Sequence, residues 1–403
     1  MRRPPGPFQP DFWRSPLRGP WLTSLLSLML LAAVAIVAVT GFLSHAAYRP
    51  DLPGNAIVDP ARDLPLLVSW PTGPSWLYAL TQGLHVSVGL ATVPLLLAKL
   101  WSVIPKLFKW PPARTPAEGL ERAIVGLLVA STIFQLVTGV MNAQYWYAFG
   151  FDFVVAHYWG AVLFVGALLA HMAVKLPAIR RAYRTRAAVM ADSELVAASP
   201  AEPTMSRRGL LAFTGASAGL VLLAQGGQAL GGPFRSVSFL APRREDFPVN
   251  KPFAIVGIER AEVGPSWRLE LAVGGQDAVV ELAREDLLAM DLATERLPIA
   301  CVEGWSTMQE WTGVRLRDLA ARAGVEPGSV PVRVESLQPE GRFRAATLSA
   351  AQVAEPRSLL ALQVNGADLS LDHGYPARII VPALPGVHNT KWVGRMNFDP
   401  QPA

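Results

Sequence analysis

Cysteine is nearly absent from this chain: 403 residues contain one, Cys301. A lone cysteine cannot be half of an internal disulfide, so a disulfide scaffold is excluded. Covalent c-type haem, which needs two cysteines before a histidine, is excluded with it. The thiol is therefore either an inert buried group or a chemically used one. Charge is also scarce. Asp, Glu, Lys and Arg make up 17% of the residues and hydrophobic types 51%, which is too apolar for a wholly soluble protein and fits membrane spans joined to one globular domain. No repeat with a period of roughly 20–50 residues is visible, which excludes solenoids and propellers. The formal net charge is +5. Its excess sits in short segments beside apolar runs, so it speaks to membrane topology and not to nucleic acid.

What is present in quantity is long apolar runs. No charged residue falls between Trp21 and Leu43, a stretch long enough to cross a bilayer. It is too long for a removed leader and lacks a small-residue cleavage site, so it is expected to stay as a span. Further spans are expected within Tyr78–Ile104, at Ile124–Met141 and at Phe153–Val174. Lys and Arg gather in the tail 1–20, the connection 99–122 and the segment 175–208, whereas 44–76 and 143–152 are poor in them. This bias predicts a cytoplasmic N-terminus and a multi-pass protein of the inner (cytoplasmic) membrane, in contact with lipid on all sides. Residues 187–205, rich in Ala, Ser, Pro and Glu, read as a linker. The segment SRRGLLAF follows at Ser206–Phe213. Its paired arginines before a Gly/Ala-rich apolar run resemble a twin-arginine export signal; the other reading is the ordinary positive flank of a fifth span. The expected order is a tail (1–20), a four-span domain (21–177), a cytoplasmic linker (178–208), a fifth span (209–230) and an extracytoplasmic, periplasmic domain (231–403). In the last, strands are expected at Phe253–Ile258, Trp267–Val273, Val330–Val334, Leu360–Val364 and Ala377–Val381. Helices are expected at Arg284–Met290 and Arg315–Ala323, which together predict a mixed α/β domain.

Cys301 lies in Leu297–Leu319, LPIACVEGWSTMQEWTGVRLRDL. Ile299–Ala300 reads as the end of a buried strand. Gly304 and Gly313 punctuate an expected loop holding Glu303, Trp305, Gln309 and Trp311, and loops are where sites usually lie. The motifs CVEGWS, WTGVRLRDLAARAGV, LDHGYPARIIVP and NTKWV, in that order, resemble the sulfite-oxidase-like family of molybdopterin enzymes over about Pro248–Phe398. Within it the cysteine segment is most similar to methionine sulfoxide reductase catalytic subunits. The resemblance implies that the Cys301 thiolate binds molybdenum, sound chemistry for a soft sulfur donor. It implies that His373 and Arg378 contact the pterin and its phosphate, and that Asn389, Thr390 and Lys391 hold the phosphate end. Ser336 and Asn250 match two further cofactor contacts. Sulfite oxidases carry arginines soon after the cysteine; here the residues are Val302, Glu303, Gly304 and Trp305. That argues against sulfite as the substrate and makes Glu303 and Trp305 candidate pocket residues.

Of the six histidines, His85, His157 and His171 fall within expected spans and His45 just past the end of the first. A histidine inside a bilayer is a functional hypothesis by default. His157 and His171 are fourteen residues apart, so they share one helix face at a separation of about 21 Å along the axis. LHVSVG at His85 and HYWGAVLFVGALLAH at His157–His171 resemble the bacterial four-helix cytochrome b family over about 15–180. The resemblance implies a haem b held by His85 and His157, with His171 as the alternative partner of His85. The family's other ligand has no counterpart in LRGPWLTS, so one haem is expected, and His45 is expected to be an interfacial loop residue. The whole reading is an α-helical membrane domain, a four-helix cytochrome b-like bundle plus an anchoring span, followed by a mixed α/β molybdopterin domain. The function it implies is an oxidoreductase passing electrons between membrane quinol, haem b and molybdenum, with oxygen-atom transfer to a small molecule such as a sulfoxide. The alternatives are an extracytoplasmic dehydrogenase feeding quinone and a non-catalytic haem- or quinone-binding membrane protein.

Overall fold

The computed structural model describes residues 3–184, 195–275, 277–278 and 280–399, with side chains omitted for 177–184. The apolar runs become five helices: α1 (Pro20–Ala47), α2 (Leu77–Leu107), α3 (Pro116–Ala143), α4 (Phe153–Arg184) and α5 (Arg207–Leu230). By length and composition each is able to cross a membrane, α4 over Phe153–Leu176. The helices outlast the apolar runs at their ends. At the start of α3, Thr115 accepts from Glu118 N, Arg114 N donates to the Glu118 carboxylate, and Pro116 follows the cap. At the end of α1, Ser44 and His45 extend the helix to Ala47. His45 is thus in the last helical turn rather than beyond it, and its Nε2 lies 2.8 Å from Asp63 Oδ2. Arg207, the first of the paired arginines, donates to the Pro16 and Leu17 carbonyls. Of the expected linker, 185–194 lies outside the described residues.

The chain divides into two compact units. One is Met1–Val39 with His85–Gln225; the other is Thr40–Leu84 with Gly226–Ala403. In the second, the described residues form ten strands in two sheets: β1 (Arg268–Val273), β2 (Val280–Ala283), β3 (Leu292–Ala300), β4 (Ser306–Arg315), β5 (Val332–Ser336), β6 (Ala345–Leu348), β7 (Leu359–Val364), β8 (Ala367–Asp368), β9 (Arg378–Ile380) and β10 (Val393–Phe398). One sheet runs β2-β1-β10-β5-β6; the other runs β3-β4-β7-β8, with β9 also on β7. Short helices α6 (Phe234–Val237), α7 (Arg284–Leu288), α8 (Leu316–Arg322) and α9 (Ala350–Ala354) complete the unit.

Strand β7 explains why LLAL is continuously apolar. Leu360 and Leu362 enter the core shared with the other sheet, through Leu269, Val334 and Met396. Leu359 and Ala361 enter a second core with Leu297, Trp311 and Cys301 on the opposite face. A strand buried on both faces has no polar side.

Two expectations are corrected. Phe253–Ile258 is no strand: Phe253–Ile255 is a 3-10 turn after Pro252, with Phe253 N donating to Asp372 Oδ1 at 2.8 Å. The expected loop after Cys301 is mostly strand β4. Thr307, Gln309 and Trp311 are buried and Met308 and Glu310 exposed, a period of two that outweighs the flanking glycines.

Candidate functional site

Strands β3 and β4 pair from Leu292↔Val314 to Ala300↔Ser306, so residues 301–305 form the hairpin turn. Cys301 N donates to Trp305 O at 3.0 Å and Gly304 N to Cys301 O at 3.0 Å, which fixes the thiol at the head of the turn. Burial pushes the Cys301 thiol well up, with the Glu303 carboxylate adding to the shift. The same burial raises Glu303, whose Oε2 has no hydrogen-bond partner among the described residues. A buried thiol next to a carboxylate is not activated by its protein surroundings. Its ionisation needs a cation or metal brought to it.

Cys301 and Trp305 line one cavity together with Asn250, His373, Arg378, Asn389, Thr390 and Lys391. These are sequence-predicted site residues from four separate stretches of chain. Arg378 begins β9 and is only 3% exposed. It donates to His373 O at 2.9 Å and to Asn389 O at 3.4 Å, and lies over the Trp311 ring at 5.1 Å. Burial lowers it to about 9. Lys391 Nζ donates to Lys251 O at 2.6 Å and to Asp372 O at 2.9 Å. Burial first, then the Arg378 charge, lower it to about 7. Neither cation has an ion-pair partner among the described residues. Gly374 lies between them with φ of 108°, and a Cβ there would come within 3.1 Å of both side chains, so only glycine lets the two cations converge.

His373 stacks on Phe247 at 3.7 Å, accepts from or donates to Ser370 Oγ at 2.8 Å, and is lowered to about 4 by burial and by Arg378. Thr390 is buried, and its carbonyl accepts from Ile379 N. Asn389 Oδ1 accepts from Val381 N at 2.9 Å. Arg378 Nε and Asn389 Nδ2 are buried donors with no acceptor among the described residues. With Lys251, Arg342 and Arg344 also on the wall against Asp372, the donor set fits a large anionic group that offers many acceptors.

Ser336 and Glu303 do not line the cavity. Ser336 stands behind it, donating to Lys391 O at 2.8 Å and accepting from Gln338 N, so it positions Lys391. Glu303 lies on the far side of the turn. Gln82 donates to Val302 O at 2.6 Å and Gln228 to Glu303 O at 3.3 Å, which holds the cysteine turn from behind. Sequence reasoning did not single out Phe247, Gln338, Arg342, Phe343 or Arg344, all on the wall. The run Arg342–Phe343–Arg344 is basic and aromatic together, and that was the available signal.

In the helical unit, the His85 and His157 rings meet at 6.1 Å and 84°. His85 Nδ1 donates to Val37 O at 2.9 Å. Thr138 Oγ1 donates to Phe134 O at 2.7 Å and accepts from His157 Nδ1 at 2.9 Å. Each Nδ1 is engaged as a donor, so each Nε2 is the basic nitrogen, the arrangement that suits two ligands to one metal. Metal–nitrogen bonds of about 2 Å on each side plus the two half-rings require a separation of roughly 6 Å. The 6.1 Å between the His85 and His157 rings is close to that separation. His171 has a buried Nδ1 without a hydrogen-bond partner among the described residues and is not part of this ring contact.

In this α/β unit the one cysteine heads a hairpin at a cleft lined by Arg378 and Lys391. Residues 257–403 match the family described as the oxidoreductase molybdopterin binding domain. Mitochondrial sulfite oxidase of Homo sapiens is 36% identical over 97 residues, which is 23% of this chain and 18% of that protein. The uncharacterized oxidoreductase YuiH of Bacillus subtilis is 34% identical over 139 residues, 33% of this chain and 65% of that protein. Among solved structures, the sulfane dehydrogenase SoxCD from Paracoccus pantotrophus matches with 24% identity and a TM-score of 0.31, covering 38% of this chain and 44% of that one. Residues 257–403 are thus similar to the molybdopterin-binding domains of sulfite-oxidase-type oxidoreductases. The chain spans about a fifth of the length of the mitochondrial sulfite oxidases it matches.

Proposed function

We propose that this protein is a membrane-bound molybdopterin oxidoreductase that transfers an oxygen atom from a small neutral substrate, with a sulfoxide as the favoured class. The observation that carries the reading is the one cavity in which Cys301 meets the buried, incompletely paired donors Arg378 and Asn389 and the partly buried Lys391, which has no ion-pair partner among the described residues. Arg378 and Lys391 hold the phosphate and pterin by charge-assisted hydrogen bonds. His373 and Thr390 shape the same wall, Asn250 closes its rim, and Ser336 fixes Lys391. Cys301 supplies a thiolate to the metal. Trp305 excludes water beside it. When bound, the molybdenum cofactor supplies the oxygen-atom exchange itself.

The reduction R₂S=O + 2e⁻ + 2H⁺ → R₂S + H₂O needs two electrons. The His85–His157 pair supports a haem b that accepts them one at a time from membrane quinol. In this reading the four-span part 21–177 stays in the cytoplasmic membrane, 209–230 anchors the chain, and 231–403 lies on the periplasmic side. The Lys and Arg bias of 1–20, 99–122 and 175–208 supports that orientation.

The test is metal analysis of detergent-purified full-length protein, wild type and Cys301→Ala. One molybdenum and one haem b per chain are expected in the wild type. The substitution is expected to change the molybdenum(V) resonance and to leave the haem spectrum intact. A wild type without molybdenum, made in a host that synthesises the cofactor, sinks the enzyme reading. A second reading rests on the sulfite oxidases among the relatives: an oxidase of an extracytoplasmic substrate that feeds quinone. Reoxidation of reduced haem by dimethyl sulfoxide supports the reductase, and reduction of the haem by sulfite supports the oxidase.

A further inference from the structure

We propose that Gln82 is a positioning residue for electron transfer: its hydrogen bond to Val302 O is the link by which electrons pass between helix α2, which carries His85, and the turn headed by Cys301. The inference rests on the haem-to-molybdenum reading above and names the residue that joins its two ends.

Gln82, Val302 and Cys301 lie in the same compact unit. Gln82 is 3% exposed, and its Nε2 donates to Val302 O at 2.6 Å. Val302 follows Cys301 directly, so covalent bonds alone lead from that carbonyl to the thiol. On the other side, His85 follows Gln82 one turn later on α2, about 4.5 Å along the helix axis. The sequence from His85 to Cys301 is thus interrupted only by one short hydrogen bond. Tunnelling decays more slowly along covalent and hydrogen bonds than across a gap, so this link is a favourable path.

The link is built with care on both sides. A Cβ on Gly83 would come within 2.8 Å of Ala229 Cβ, so the end of α2 lies directly against the end of α5. Ala229 O accepts from Ser306 Oγ at 2.7 Å, which ties that junction to the first residue of β4. Gln228 donates to the next carbonyl of the turn, Glu303 O, at 3.3 Å. Gln82 Oε1 and Gln228 Oε1 are both buried without a partner among the described residues. A side chain that only filled space here would do so at less cost as a leucine, so the amides are present for their donors. The two glutamines hold neighbouring carbonyls, but only one of their helices bears a candidate haem ligand, since α5 contains no histidine. Gln82 also lies outside the matched residues 257–403, so the link belongs to this chain and not to the matched domain.

In each passage one electron leaves the reduced haem iron and one reduces the molybdenum. No proton moves and no bond forms or breaks in that passage, and two passages supply the pair that the sulfoxide reaction consumes.

The experiment uses the full-length protein in detergent, wild type, Gln82→Leu and Gln228→Leu, each assayed for molybdenum and haem. Reoxidation of the reduced haem by dimethyl sulfoxide is followed by stopped-flow absorbance, and turnover is measured with reduced methyl viologen as a soluble donor. In Gln82→Leu haem reoxidation is expected to slow about tenfold or more, while viologen-driven turnover stays within about twofold. In Gln228→Leu both are expected to stay within about twofold of wild type. Both variants are expected to lower the melting temperature by a similar shift, because both release a carbonyl of the turn. Unchanged haem reoxidation in loaded Gln82→Leu overturns the proposal. So does an equal slowing in Gln228→Leu, or a parallel fall in viologen-driven turnover, since either makes Gln82 only a clamp on the turn. If Gln82→Leu loses molybdenum, Gln82→Met carries the test, and loss in both also overturns it. If sulfite reduces the haem instead, the same comparison is made on that rate, with ferricyanide as the soluble acceptor. A wild type that lacks either cofactor, or whose haem exchanges electrons with neither substrate, fails separately, at the functional reading itself.

Discussion

Arg378 is a buried cation and Lys391 a partly buried one, and both are surrounded by carbonyls instead of carboxylates. The cost falls on the cofactor-free protein and has a definite sign. Lys391 titrates at about 7 when folded, against about 10.4 for an ordinary lysine. Between those values the unfolded chain holds the proton and the folded one does not. Stability of the empty domain therefore rises with pH through this window, and the penalty is complete below about pH 7. A bound phosphate supplies the missing opposite charge. Pyrophosphate is thus expected to raise the melting temperature of cofactor-free protein clearly at pH 6.5 and little at pH 9.5. Lys391→Met is expected to remove most of that difference, as read by differential scanning fluorimetry. An equal effect at both pH values would count against the charge argument. At this scale the motif HGYPAR and the segment NTK were legible, because cations that meet a phosphate keep their type and spacing. Gln82 and Gln228 were not, because what marks them is a hydrogen bond to the cysteine turn 220 and 75 positions away in sequence.

The cysteine turn depends on the β3–β4 hairpin. Trp311 on β4 is fully buried between Leu297 and Leu359, its Nε1 donates to Leu297 O at 3.2 Å, and its ring supports Arg378. Trp311→Ala removes the packing and the cation–π contact together. A loss of about 3–5 kcal/mol is expected from denaturant unfolding, with molybdenum content falling in step. The hairpin was misjudged from sequence because Gly304 and Gly313 resemble loop punctuation. Gly304 does serve the turn, with φ of 90°, but Gly313 lies inside a strand. The long helices were legible from apolar runs, although their ends were not, since polar caps carry them past the hydrophobic stretch. Helix packing supports a second prediction. Thr138→Val leaves His157 Nδ1 without its acceptor, and loss of such a supporting bond costs about 10–100-fold in metal affinity. Haem retention in detergent is expected to fall accordingly, with His171→Ala as the comparison that keeps the pigment. Loss of the pigment in His171→Ala instead would move the haem away from the His85–His157 pair.

At the scale of the whole molecule, the sequence pattern places the boundary of the α/β domain near residue 231, after the last apolar run. The second compact unit, however, includes Thr40–Leu84. Asn55 satisfies the edge of β6 at Thr347, Trp70 occupies the Ala383 carbonyl, and Gln82 holds the Val302 carbonyl next to Cys301. Ala47, Trp70 and Tyr78 also cover Ala300. Composition could not reveal this, since 44–76 is a polar, proline-rich connection and its partners lie some 300 residues later. Each buried backbone group left unpaired costs about 1–3 kcal/mol, and the net stability of a domain is only about 5–15 kcal/mol. Residues 231–403 expressed alone would lose all of these contacts at once. The fragment is expected to be poorly soluble, or to melt more than about 10 °C below the full chain with substoichiometric molybdenum. Restoring residues 40–84 through a flexible linker is expected to recover both properties, and Asn55→Ala in the full chain should reproduce part of the loss. A lone fragment that melts with the full chain and binds a full equivalent of cofactor would mean that the connection only rests against the domain. The site would then belong entirely to the C-terminal fold.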